Sequence, residues 1–273
     1  MNKIFQTPKD GNYFFGYYDK SPLDINNQKL LACRSRFFDR APTSDDTLEI
    51  GYFNWQRSDE FHKIVETKAW NWQQGCMLQW LCSEYQQKII YNDRVDGQFV
   101  TVILDIVTKE KNILPMAYYT ASSKGDFVLC IDNERHAWYR GAYSYKGVEN
   151  KDKKKAYIEA DGIWKIDIST KHVEQIITLK QLVENQYLSN MKSAIHYVEH
   201  LMIAPNNKRF VFMHRWKTED GGIYSRLYTV NIDGSDLYLL NDSGRMSHYC
   251  WKNNKEVVGW GGLSNAVNSL RKY

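Results

Sequence analysis

Met77–Asp93, MLQWLCSEYQQKIIYND, followed by Phe99–Leu114, FVTVILDIVTKEKNIL, is the stretch on which the fold turns. The first segment is an apolar run, a polar turn near Glu84–Gln87, and a second apolar run ending in Asn92 and Asp93. The second segment alternates apolar and polar residues on either side of Thr108-Lys109. Each reads as a β-hairpin, because period-two apolar patterning broken by turn residues is what a half-buried strand pair requires.

The pair of hairpins recurs along the chain. Further hairpins of the first kind are Ala117–Asn133, His200–Trp216, His248–Gly262 and a looser copy at Tyr17–Arg36 turning at Asn26–Gln28. Further hairpins of the second kind are Leu48–Val65, Ile163–Ile177 and Arg226–Leu240. Two of the second kind share a local pattern, Leu104-Asp105-Ile106-Val107-Thr108-Lys109 and Ile166-Asp167-Ile168-Ser169-Thr170-Lys171. Alternating inner and outer hairpins predict an all-β fold, a β-propeller of four-stranded blades forming a single domain over residues 1–273. Five inner hairpins and four outer ones give about five blades. Either an N-terminal strand closes a small ring, or the chain is a shortened form of a longer propeller. Only Leu179–Lys192 reads as a possible helix, so an alternating βαβ architecture is disfavoured.

Composition narrows the class. Aromatics make up 14% of the chain, with 19 Tyr and 9 Trp, a density that suits sheet faces and carbohydrate surfaces alike. The net charge of +4 is mild, and the one basic run (Lys151, Lys153, Lys154, Lys155) is interrupted by Asp152. It reads as a solvated loop, and no nucleic-acid partner is expected. The segment after Met1 is polar and no apolar run is long enough to span a membrane. The five cysteines lack metal-ligand spacing. Together these features predict a cytoplasmic protein.

The open ends of the inner hairpins should gather on one rim near the central channel. Reading those positions gives Tyr17, Tyr18 and Asp19, then Arg34 and Arg36, for blade one. Blade two gives Gln73 and Gln74, then Asn92, Asp93 and Arg94. Blade three gives Glu134, Arg135 and His136; blade four gives His200, His214 and Arg215; blade five gives His248. Counting outward from the turn pairs His200 with Met213 and sets His214 beside it. Imidazoles converging from adjacent strands can hold a divalent metal (Mn, Zn or Ca), with Gln73, Gln74 or water completing the shell. The same histidines can equally be structural, bonded to backbone between blades. Trp70 and Trp72 flank Asn71, where exposed rings would stack on sugars. His196-Tyr197-Val198-Glu199-His200 lacks the order of a zinc-protease motif, and no GxSxG, Walker-type or GxGxxG sequence occurs.

Tyr17-Tyr18-Asp19-Lys20-Ser21-Pro22, Trp70-Asn71-Trp72-Gln73-Gln74-Gly75, Leu78-Gln79-Trp80-Leu81, His200–Pro205 with His214-Arg215-Trp216, and Ser247–Trp251 resemble a family of bacterial propeller proteins. That family is associated with surface-polysaccharide gene clusters and is similar to oligogalacturonate and ulvan lyases. The resemblance implies a seven-bladed parent, of which this chain is an incomplete version, and a metal held by His200 and His248. Cys250 stands where a second histidine of an HxH pair is expected. By the same resemblance, Arg135, His136, Tyr139 and Tyr143 correspond to the arginine, histidine and tyrosines that surround the channel of ulvan lyases. The implied chemistry is β-elimination on a uronate-containing oligo- or polysaccharide. Arg135 and Arg215 would neutralise the carboxylate, and His136 or a rim tyrosine would be the base. Tyr17, Tyr18, Arg34, Arg36, Trp70, Trp72, Asn92 and Arg94 would contact substrate. A glycan-binding or scaffold propeller without catalysis is the alternative, since fold does not decide between them.

Overall fold

The structure is a computed structural model, and it describes residues 5–82, 87–149 and 160–262. The turn at 84–86, the basic run at 151–155 and the segment 263–273 lie outside the described residues. Four four-stranded antiparallel meanders follow one another, each complete before the next begins. The first is β1 (Asn12–Phe14), β2 (Leu30–Ser35), β3 (Leu48–Phe53) and β4 (Phe61–Thr67). The second is β5 (Gln79–Trp80), β6 (Lys88–Val95), β7 (Gln98–Asp105) and β8 (Lys111–Leu114). The third is β9 (Tyr118–Ala121), β10 (Phe127–Ile131), β11 (Gly162–Asp167) and β12 (Val173–Thr178). The fourth is β13 (Ile195–Ile203), β14 (Arg209–Lys217), β15 (Ile223–Asn231) and β16 (Tyr238–Gly244). A two-stranded hairpin, β17 (Met246–Trp251) and β18 (Val257–Gly261), completes the described strands. This is an all-β fold of the β-propeller class, with its sheets in the blade order that the alternating hairpins dictate.

The repeated sequence pattern has a common physical cause. Asp105 Oδ1 accepts the backbone N–H groups of Val107 and Thr108, and Lys109 takes a left-handed φ of 66°. Asp167 Oδ1 does the same for Ser169 and Thr170, with Lys171 at φ 61°. Both carboxyls are held below the usual range, first by the backbone N–H of Thr108 or Thr170, and Asp167 sits at about 2. An aspartate that caps its own turn fixes where each outer hairpin reverses.

Two compact units are distinguished. One comprises Met1–Tyr118 with Asn133–Lys151, the other Tyr119–Asp132 with Asp152–Tyr273. The core of the first is built from the middle strands of its two sheets, with Leu31, Cys33, Leu48, Ile50, Ile89, Tyr91, Val102 and Leu104 buried together. In the second, Val211, Met213 and Leu227 of the fourth sheet pack against Met246 and Tyr249 of β17. Each such side chain, once fully buried, stabilises the fold by about 1.5–3 kcal/mol.

The structure corrects four expectations. The first strand of blade one is Asn12–Phe14, paired with Ser35–Cys33, so Tyr17, Tyr18 and Asp19 lie in the long β1–β2 connection. Glu134, Arg135 and His136 do not leave a strand; they sit in a short helix, α1 (Asn133–Tyr139). The helix expected at Leu179–Lys192 is only Leu179–Glu184 (α2), started by a capping box of Thr178 and Gln181. Finally, β13 begins at Ile195, and His214 pairs with Val198 while Met213 pairs with Glu199. No helix among the described residues is long and apolar enough to cross a membrane.

Candidate functional site

The strand pair β13–β14 changes register between Glu199 and Met202: Glu199 faces Met213, whereas Met202 faces Val211. Two residues of β13, His200 and Leu201, therefore oppose one residue of β14, which is a β-bulge. His200 adopts φ 58° there, a left-handed conformation that costs a non-glycine residue on the order of 1–2 kcal/mol. Successive side chains of a regular strand point to opposite faces. The bulge cancels that alternation, and His200 Nε2 comes to lie 3.5 Å from Glu199 Oε1 of the preceding residue.

Three further side chains complete the arrangement. The Tyr119 hydroxyl is 3.3 Å from His200 Nδ1. Arg215 Nε is 2.8 Å from Glu199 Oε1, and Arg215 Nη2 reaches the Met246 carbonyl at 3.5 Å. The Tyr249 hydroxyl donates to the His200 carbonyl oxygen. Glu199 is fully buried, while His200 and Arg215 keep 12% and 13% of their side chains exposed. A phenol, an imidazole and a carboxylate are thus in series, with an arginine fixing the carboxylate and a route to solvent at the imidazole. Such a chain can move a proton between Tyr119 and His200 while Glu199 stabilises the imidazolium that results.

The three expected metal ligands on the second unit are not assembled. His200 meets Tyr119 and Glu199. His214 is buried and its Nε2 lies 3.0 Å from His196 Nδ1. His248 is solvent-facing beside Ser247. Gln74 belongs to the other unit, buried in a turn where its backbone N–H bonds Asn71 Oδ1 at 2.8 Å. Among the described residues no group of three or more His, Cys, Asp or Glu could hold a metal ion. The donor set does not fit a divalent metal, and no step below runs through one.

In the first unit, most expected substrate contacts are structural. Trp70 is buried against Phe14, Phe37 and Trp72, and its Nε1 donates to the Asp46 carbonyl at 3.0 Å, so it is not an exposed platform. Trp72 donates to the Arg40 carbonyl at 2.8 Å. Asn92 is fully buried and its amide is consumed by Tyr118 and Tyr145. Arg94 ties down the carbonyls of Ser44 and Lys146. Arg34 pairs with Glu49 at 2.5 Å and with Asp10 at 3.0 Å. Its proton is held more tightly than usual, chiefly by the Glu49 hydrogen bond. Arg36 is exposed, and Tyr18 is half-exposed against the buried Tyr17, ring centroids 4.6 Å apart.

Arg135, His136, Tyr139 and Tyr143 do come together, in the insertion between β10 and β11. Arg135 and His136 are buried, however. Arg135 lies over the Trp138 ring at 5.7 Å, His136 Nδ1 bonds the Ser144 hydroxyl, and Arg140 covers Tyr143 at 4.3 Å. Sequence reading missed Tyr119 and Glu199, because a bulge that brings Glu199 beside His200 has no signature in an alternating strand. Tyr119 was simply one more aromatic of an inner strand.

No family model and no curated protein matches this sequence. Among solved structures, the chain is similar to the tricorn protease at 11% identity and a TM-score of 0.48, over 94% of this chain and 20% of that one. It is also similar to TolB from Acinetobacter baumannii at 15% identity and a TM-score of 0.44, over 83% of this chain and 45% of that one. Hydrazine synthase from Kuenenia stuttgartiensis gives 11% identity and a TM-score of 0.36, over 87% and 68%. The chain therefore spans a fifth of the tricorn chain and under half of TolB. At these scores the likenesses say nothing about what this chain does.

Proposed function

We propose that the chain is a carbohydrate-active protein that cleaves uronate-containing glycans by β-elimination, with Tyr119, His200 and Glu199 as its proton-transfer chain. The observation that carries this reading is the series of Tyr119 Oη, His200 Nδ1, His200 Nε2 and Glu199 Oε1, with gaps of 3.3 Å and 3.5 Å. In the reaction the base removes the C5 proton, which is acidified by the adjacent carboxylate. The electron pair forms the C4–C5 double bond, the C4–O bond breaks, and the leaving oxygen takes up a proton. His200 accepts the Tyr119 phenolic proton, the phenolate takes the C5 proton, and the phenol so formed can return it to the leaving oxygen. Glu199, fixed by Arg215, favours the imidazolium form of His200, and Arg215 adds positive charge beside the developing anion.

The substrate class follows the resemblance of Tyr17–Pro22, Trp70–Gly75 and Ser247–Trp251 to the propeller lyases. Arg135 and His136 take no part in this reading, because both are buried. The test is incubation of the full chain with galacturonate-, glucuronate- and guluronate-containing oligosaccharides, following the ultraviolet absorbance of the unsaturated uronate end. Product is expected from at least one, and Tyr119→Phe and His200→Ala should remove it while leaving the fold intact. Glycan binding without product would make the chain a non-catalytic binding protein instead, and neither binding nor product would remove the carbohydrate reading altogether.

A further inference from the structure

The left-handed bulge at His200 is gripped from β17. Tyr249 and Trp251 are two residues apart on one strand, so they share a face, and Cys250 between them points to solvent. The Tyr249 hydroxyl donates to the carbonyl of His200 and Trp251 Nε1 donates to the carbonyl of Met202 at 2.9 Å. The first carbonyl lies within the stretch where the β13–β14 ladder loses register, and the second at its end. A bulge leaves backbone groups outside the ladder, and a left-handed non-glycine residue persists only where its surroundings over-determine it. Here the surroundings are two aromatic side chains whose polar tips take up the main chain while their rings pack on the sheet. Tyr249 lies with Met246, Val211, Met213 and Leu227, and Trp251 and Met202 pack against that group.

We propose that Tyr249 and Trp251 are positioning residues for His200, acting through the main chain of the bulge rather than through the imidazole. Without the clamp, residue 200 relaxes towards regular strand geometry, and its ring turns away from Glu199 and Tyr119. This gives a role to the Ser247-His248-Tyr249-Cys250-Trp251 motif that does not involve a metal. The importance of the role for turnover rests on the proton-transfer reading above; the positioning itself does not.

The experiment is therefore made on the ring and not on activity alone. The full chain is labelled with 15N-histidine, the His200 resonances are assigned by their loss in His200→Gln, and the ring is titrated by NMR. Tyr249→Phe and Trp251→Phe keep the packing and remove one hydrogen bond each. Each is expected to shift the His200 ring nitrogens and to change its proton affinity by about threefold, a half-unit change in pKa, while Cys250→Ser leaves both unchanged. Trp251→Phe carries the test alone if Tyr249→Phe does not fold. An unchanged His200 spectrum and titration in the folded variants overturns the proposal, even if lyase activity is found. A shifted ring in a protein without lyase activity upholds the positioning and removes the lyase reading. Where activity is present, kcat should fall with KM little changed.

Discussion

His196 Nδ1 lies 3.0 Å from His214 Nε2, and the two rings stack at 5.2 Å within the β13–β14 pair. His196 Nε2 faces the Met191 carbonyl at 3.1 Å. A carbonyl only accepts, so Nε2 of His196 carries a proton, and His196 Nδ1 and His214 Nε2 share the one proton between them. With a single proton between the two facing nitrogens, at least one of the rings is neutral. Burial pushes the proton affinity of His214 well below its ordinary value, with His196 and the Arg226 guanidinium adding to the effect.

That depression fixes the sign of a pH dependence. An unfolded histidine takes up a proton near pH 6.5, whereas folded His214 does not until far lower, so stability falls as the pH drops below that value. The slope from this one group approaches about 1.4 kcal/mol per pH unit. Urea unfolding at about pH 7.5 and about pH 5.5 should show the loss, and His214→Leu should flatten it. Equal pH dependence in the two proteins would mean that His214 is protonated in the fold.

Asn92 ties two segments of the first unit to β6. Its Nδ2 donates to the Tyr118 carbonyl and the Tyr145 hydroxyl, both at 2.8 Å, and its Oδ1 accepts the Tyr118 N–H at 2.9 Å. Truncation strands three buried partners, so Asn92→Ala should cost about 3–5 kcal/mol in chemical denaturation, against about 1 kcal/mol for Tyr145→Phe. Asn92→Asp should fare no better, since a carboxylate placed against the Tyr118 carbonyl cannot donate to it. A loss below that of Tyr145→Phe would contradict the buried network.

Trp70 and Trp72 separate a core role from a glycan role. Their rings meet edge to face at 5.1 Å, with Trp70 buried and Trp72 at the margin. Trp70→Ala should cost about 3–5 kcal/mol. Trp72→Ala should cost visibly less in the same thermal melt. Equal, small losses would put both rings outside the core.

The hairpin order was legible because period-two patterning and self-capped aspartate turns are local properties. Asp105 and Asp167 announce their turns within five residues. What failed was long-range or exceptional. The short strand Asn12–Phe14 pairs across a connection that runs from Phe15 to Lys29, and Tyr17-Tyr18 inside that connection is the more strand-like dipeptide. The exit from β10 continues into a helix, although Glu134, Arg135 and His136 read equally well as strand-end polar residues. For the site, His200 and Arg215 were visible as rim residues, but the partner of His214 was not. Pairing by counting from the turn assumes an unbroken ladder, and the bulge adds one residue to β13. It moves His214 from Glu199 to Val198, within reach of His196.

Glu199 and Arg215 offer a test of the site that needs no substrate. Glu199 is fully buried and its Oε1 lies 2.8 Å from Arg215 Nε and 3.5 Å from His200 Nε2. Arg215→Met leaves the carboxylate buried without its cation, a change that typically costs about 3–5 kcal/mol when one partner of a buried pair is removed. Glu199→Gln keeps the shape and an acceptor oxygen for Arg215, and removes the charge, so about 1–3 kcal/mol is expected. The double variant removes both charges at once and should be less damaged than the sum of the two singles. A coupling of about 1–3 kcal/mol in the resulting cycle identifies a true pair, because residues in direct contact couple by that amount. The NMR titration of His200 adds a second readout: Glu199→Gln should lower the proton affinity of the ring by taking away the negative charge beside Nε2. A cycle that closes to zero, together with a His200 ring indifferent to Glu199→Gln, would dissolve the series of Tyr119, His200 and Glu199 as a functional unit.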